Sequence, residues 1–281
     1  IRFATGIFLA GVYPPGMKII SGWFQSGRGI ALGIMIGALT IGSGSPHLLR
    51  SAFVDNWEAT IIGSSILSGV SAVLVVLLVR DGPYNVSGAR FDPRYMLRAF
   101  TERGPRLTLF GYLGHMWELY AMWAWIGVFL YASFNQSMGS GQEITATYLA
   151  GLTTFLVVGV GALGALFGGV LADRIGRTTL TISAMLISGL CSLVIGFLFG
   201  GSVTLLVIVA LIWGISVIAD SAQFSSCIIE LSDPDYLGTM LTAQTCIGFL
   251  LTLITIHMIP PLVDLLSWKY AFAPLAIGPF L

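Results

Sequence analysis

Eight stretches of this chain are apolar over about the 20 residues that a helix needs to cross a hydrocarbon core, and this repetition leaves few folds open. They run over 1–17, 30–49, 59–79, 107–131, 145–172, 178–199, 203–221 and 237–259, and a ninth begins at Trp268. Hydrophobic residues make up 56% of the 281 and charged ones 9%, with a mean hydropathy of +0.90. A water-soluble fold of this composition would expose large apolar patches, whereas a helix in lipid satisfies its own backbone. The sequence therefore reads as an all-α membrane protein. Its net charge of +0 implies no acidic or basic partner and argues against nucleic acid. Cys191, Cys227 and Cys246 lie in or at the edges of apolar runs. They read as small core residues without metal-ligand spacing.

Lysine and arginine in short loops mark the cytoplasmic side of such a protein. Lys18 and Arg28 fall between the first two runs. Arg80, Arg90, Arg94, Arg98, Arg103 and Arg106 fall in the polar stretch 80–106, and Arg174 and Arg177 follow the fifth run. The alternate connections hold only Arg2, Arg50 and Lys269. This ten-to-three bias places 80–106 in the cytoplasm and 135–143 outside. The turn signals Asp81-Gly82-Pro83, Asp92-Pro93 and Gly104-Pro105 make 80–106 the divider of the chain as well. Residues 1–79 read as the remainder of an N-terminal bundle of three helices, 80–106 as an inter-bundle loop, and 107–281 as a C-terminal bundle of five helices and part of a sixth. The lopsidedness, and an Ile1 that opens inside an apolar run, suggest a truncated parent, because transporters are commonly built from repeated halves.

Charge is densest in 168–177, GGVLADRIGR, wedged between two apolar runs. Gly169, Leu171, Asp173, Arg174, Gly176 and Arg177 match the loop motif Gly-x-Leu-x-Asp-Arg-x-Gly-Arg, so the chain resembles the major facilitator superfamily. The resemblance implies a truncated major facilitator fold of helices four to eleven, with the twelfth begun. It also implies that the loop is a cytoplasmic gate. Asp173 would face the positive end of a neighbouring helix, and the arginines would pair with acids across the seam, Glu230 first, with Asp233 and Asp235 as competitors. Arg2-x-x-x-Gly6 is similar to a fourth-helix pattern. YPPGMKIISGWFQSGRGIALG resembles the stretch joining helices four and five in bacterial nitrate/nitrite-type or cyanate-type members. Gly33 and Gly42 keep the first spacing of the drug-exporter pattern in helix five, but Ser45-Pro46-His47 break the rest.

A carboxylate at membrane depth is costly and marks function by default. His115 and Glu118 share a helical face with Met122 and Trp125. They are candidates to take a coupling proton or touch substrate, the structural alternative being an interhelical hydrogen bond. Tyr112, Trp117, Tyr120 and Trp123 on the same helix also suit a lipid-interface belt. Trp213, Ser216, Asp220, Gln223 and Cys227 form a second face, where Asp220 either meets substrate or proton or pairs with a gate arginine. Gly33, Gly37, Thr40, Gly44 and His47 form a small-residue face suited to close packing, with His47 toward the outer end. Arg2 is either a cavity cation for an anionic group or a snorkelling terminal charge.

No enzyme constellation is present. His47, His115 and His257 sit on three different helices, and neither a nucleophile elbow nor a phosphate-binding Gly-Lys-Ser/Thr motif occurs. No metal or cofactor is expected, and active transport would have to be secondary. The reading is a proton-coupled secondary transporter of a small solute, an anion among the candidates, working by alternating access between two bundles. Its partners are the solute, protons and the lipid of a bacterial inner membrane. A non-transporting sensor or scaffold on the same fold is the alternative.

Overall fold

The computed structural model describes residues 2–24, 27–52, 57–84, 93–233 and 236–281. Every regular element among these is helical. The N-terminal part holds α1 (Arg2–Ala10), α2 (Tyr13–Ser21), α3 (Arg28–Ala52) and α4 (Trp57–Leu78). Two short helices, α5 (Pro93–Met96) and α6 (Arg98–Thr101), precede α7 (Arg103–Met138). Then come α8 (Glu143–Gly159), α9 (Gly161–Ile175), α10 (Arg177–Val194), α11 (Val203–Ala219), α12 (Ser221–Leu231) and α13 (Leu237–Leu266). The chain finishes with α14 (Trp268–Ala271), a 3₁₀ turn (Ala273–Ala276) and α15 (Ile277–Phe280).

Seven helical stretches among the described residues are long and apolar enough to span a membrane: Phe3–Ile20, Gly29–Ser51, Trp57–Leu78, Glu143–Ile175, Arg177–Leu198, Val203–Leu231 and Leu237–Leu266. The apolar run 107–131 becomes part of α7, which is 36 residues long. His115, Glu118 and many aromatics make α7 less apolar than the other seven. It is the hub of the C-terminal half, packing against α8, α12, α13 and α15. The ninth run does not continue as one helix. Pro274 and Pro279 lack the N–H that a continuing helix would use, and the segment folds as α14, the 3₁₀ turn and α15, with Phe272 and Leu275 fully buried.

Helix α3 meets α8 and α9 along small residues. A Cβ on Gly33 of α3 would come within 2.7 Å of the Ala165 carbonyl oxygen, and one on Gly169 within 2.8 Å of the Gly29 carbonyl. Gly37 faces Ala162, Gly44 faces Phe155, and Gly151 faces Ser51. Such faces let backbones approach where lipid supplies no hydrophobic drive. The face containing Gly33, Gly37, Thr40 and Gly44 is thus a helix-packing seam.

Prolines inside spans free carbonyls that lipid cannot satisfy. Pro260 of α13 removes the donor for the Ile256 carbonyl, and the Trp125 indole N–H takes its place at 2.8 Å. Pro46 does the same to Gly42, whose carbonyl accepts from Ser45 Oγ at 2.8 Å. By contrast, α4 buries no residue and presents apolar side chains outward along its length.

Contacts sort the connections into two ends. Gly29, Asp173 and Arg177 meet at one end, where Arg177 also pairs with Glu230 and Gly104 packs on Leu231. Gly200 packs on Gln136 at the other, where Ser137 Oγ donates to the Gly201 carbonyl.

Candidate functional site

Two polar groups stand out in this apolar frame. One closes an end of the seam, and the other is buried midway along the C-terminal helices.

At the end, α9 stops at Gly176, which has φ +89° and donates its N–H to the Ala172 carbonyl at 3.0 Å. Few residues other than glycine adopt that conformation, so the turn launches α10 directly with Arg177. The Arg177 guanidinium forks onto Glu230, with Nε donating to Oε2 at 3.2 Å and NH2 to Oε1 at 2.6 Å. Its NH1 donates to Gln223 Oε1 at 2.7 Å. One arginine therefore ties α10 to both ends of α12. Asp173 Oδ1 lies 3.7 Å from the position of a Gly29 Cβ, beside the first turn of α3. A carboxylate there meets the partial positive charge of a helix start. Arg174 is exposed. Of the competing acids, Asp233 does not take Glu230's place on Arg177, and Asp235 lies outside the described residues.

In the interior, His115 and Glu118 diverge. His115 and Asp220 are 2% and 1% exposed, and His115 Nδ1 lies 2.9 Å from Asp220 Oδ1. That is ion-pair distance. Asp220 sits at the break between α11 and α12, where the helix ladder is interrupted. Glu118, 1% exposed, turns instead to α10 and α11. Its Oε1 accepts from Trp213 Nε1 at 2.6 Å and its Oε2 from Ser188 Oγ at 2.8 Å. Glu118 thus makes the interhelical hydrogen bonds that were the structural alternative, and His115, on the same face, turns to a different acid. Residues i and i+3 share a side but lie about 60° apart around it, enough to meet different neighbours. The alternative of an arginine partner for Asp220 is likewise replaced, because Gln223, nearly one turn on, holds that arginine.

A narrow cavity of about 20 Å³ lies between the halves, lined by Tyr13 and Thr40 from one side and by His115, Tyr120, Trp123 and Ser221 from the other. Tyr112 lines it too. These α7 aromatics point inward, so the reading as a lipid-interface belt fails for Tyr112, Tyr120 and Trp123. Their spacing on an apolar helix cannot reveal which side faces lipid. Sequence reasoning passed over Ser188 and Tyr13, for which the only signal was a polar atom in an apolar run. His47 is half-buried near Gly127 and Thr154. The Arg2 side chain lies outside the described residues. Among the described residues no three His, Cys, Asp or Glu side chains group for a metal.

A model of the Major Facilitator Superfamily matches residues 1–256. The chain belongs to that superfamily. It is also similar to "Uncharacterized transporter ESBP6" of Saccharomyces cerevisiae, at 25% identity over 189 residues, 64% of this chain. The match spans 27% of that relative's length. Family membership, together with seven apolar helices of spanning length, makes this facilitator chain part of a multi-pass membrane protein.

Proposed function

We propose that the chain forms part of a secondary active transporter that moves a small solute together with protons, by alternating access between its two bundles. The observation that carries this reading is the buried titratable group His115, Asp220 and Glu118, beside a cavity to which both halves contribute. A charge at that depth is costly unless paired, so its protonation state is tied to the packing around it. The small-residue seam of α3 against α8 and α9 supports rocking, since few interdigitated side chains oppose it there. Asp173 against the start of α3, at one end alone, suits a gate that forms in one access state, and the Arg177–Glu230 fork, which joins α10 to α12 on the same side of the seam, braces the turn that carries it. By the positive-inside bias, that end is cytoplasmic. We propose the bacterial inner membrane as its setting, a reading supported by the resemblance of residues 13–33 to bacterial members.

Within the group, Glu118 has both oxygens engaged by neutral donors and stands away from the cavity lining. We assign the moving proton to His115 and Asp220. The test uses full-length protein in proteoliposomes with a solute panel. Asp220→Asn is expected to abolish pH-gradient-driven accumulation while solute exchange, which needs no net proton movement, persists. Normal accumulation with wild-type pH dependence in Asp220→Asn would place coupling elsewhere.

A further inference from the structure

We propose that the first two turns of α7 hold an anionic phospholipid of the surrounding bilayer, with Arg103 and Arg106 on its phosphate and Leu107 and Phe110 along its acyl chain. Such a site would serve a transporter or a sensor alike, and depends on neither protons nor solute.

Opposite faces of this stretch differ. Pro105, Leu109, Tyr112 and Met116 are buried within the C-terminal half. Arg103, Arg106, Leu107 and Phe110 are exposed, Leu107 at 60% and Phe110 at 57%. Positions i, i+3, i+4 and i+7 share one helical face. One turn further on, the same face is covered. Gly114 packs against Gly278 of α15, and Trp117 Nε1 donates to the Pro274 carbonyl at 3.0 Å. What stays open is a window of two turns, basic toward the helix start and apolar beyond it.

The two guanidiniums are available to a guest. Neighbouring acids are engaged elsewhere: Glu102 lies 3.5 Å from Arg98, and Glu230 holds Arg177. Among the described residues, neither Arg103 nor Arg106 has an ion-pair or hydrogen-bonding partner for its side chain. Residues three apart on a helix have Cβ atoms about 5–6 Å from each other, so two long side chains can reach one phosphate. Arginine meets a phosphate with two parallel N–H bonds, a geometry that lysine lacks.

The apolar half of the window selects the guest. A soluble phosphate compound would use the arginines and leave Leu107 and Phe110 uncovered. A zwitterionic lipid covers them but brings its own cation beside the guanidiniums. An anionic phospholipid satisfies both halves. Its headgroup meets the arginines, and its chain runs along Leu107 and Phe110, beginning about one helical turn of 5.4 Å away. Depth agrees, because the apolar run 107–131 starts directly after Arg106, which puts both arginines at the level of lipid phosphates.

Full-length protein in detergent is titrated with phosphatidylglycerol or phosphatidylcholine, and bound lipid is counted by native mass spectrometry. An arginine near an anionic surface is worth about a factor of five, so phosphatidylglycerol is expected to bind about 25-fold more tightly. Arg103→Gln with Arg106→Gln should remove that preference. Arg50→Gln with Lys269→Gln removes the same charge at the opposite end and should leave it intact. Phe110→Ser, at an exposed position, should weaken both lipids. Equal affinity for the two lipids, an unchanged preference in the Arg103 and Arg106 variant, or an equal loss in the Arg50 and Lys269 variant each overturns the site. Equal loss would mark the attraction as one of net charge, and the arginines as serving topology alone. Inorganic phosphate or glycerophosphoglycerol displacing the lipid at comparable concentration would overturn it in favour of a soluble phosphate. Should the glutamine variant insert poorly, Arg103→Lys with Arg106→Lys keeps the charge for insertion. Without the fork it is still expected to lose part of the preference, and an unaltered preference there overturns the bidentate assignment.

Discussion

Arg177 makes three side-chain hydrogen bonds, two to Glu230 and one to Gln223. Its pair with Glu230 is partly exposed, with side chains 21% and 55% accessible, and such a pair contributes at most about 1 kcal/mol. The bond to Gln223, which is 0% exposed, is the stronger one, since hydrogen bonds to charged groups contribute about 1.5–3 kcal/mol. Arg177→Lys cannot reproduce the fork. It is predicted to slow exchange in proteoliposomes while leaving solute affinity nearly unchanged. Asp173→Asn should behave likewise, because a contact made in one access state shifts populations when lost. A variant with wild-type turnover and only altered affinity would refute the gate role. Glu118→Gln places an amide donor among donors, leaving Trp213 or Ser188 without its acceptor. A loss of about 1–3 kcal/mol in unfolding stability is expected, read by denaturation of the purified protein.

Elements show where sequence patterns carry information and where they stop. The spacing of Gly33, Gly37, Thr40 and Gly44 announced close packing, because removing side chains has one evident use in lipid. It did not name α8 and α9 as the partners, a matter of tertiary arrangement. The loop motif was legible because Gly176 answers a local demand, a positive φ, whereas Asp173 and Arg177 find their partners, the α3 start and Glu230, on helices distant in sequence. The pairing of His115 with Asp220 was hidden, since the two are far apart in sequence and i, i+3 periodicity favoured Glu118. Two substitutions test the elements. Gly33→Val should drive a side chain into the Ala165 carbonyl and stop exchange, even if the protein remains folded by size-exclusion chromatography. Trp125→Phe leaves the Ile256 carbonyl unsatisfied beside Pro260 and should cost about 0.6–1.7 kcal/mol, the range for interhelical bonds in membranes, measured by thermal unfolding.

For the molecule as a whole, orientation and movement are the open dimensions. The charge bias predicts that cysteines at Arg94 and Ser140 of the full-length protein label from opposite sides of the membrane, Arg94 from the cytoplasm. Labelling from one side would invert or break the topology. The central claim joins two statements, that the bundles rock about the small-residue seam and that protons bias them. Double electron–electron resonance on the full-length protein in nanodiscs tests both at once. One spin-label pair joins Val79 and Leu231, and another joins Trp57 and Ser202 at the opposite end. Lowering pH is predicted to shift the two distance distributions in opposite senses, and Asp220→Asn to remove the response. Distances that move together at both ends, or that ignore pH in the unaltered protein, would contradict the account.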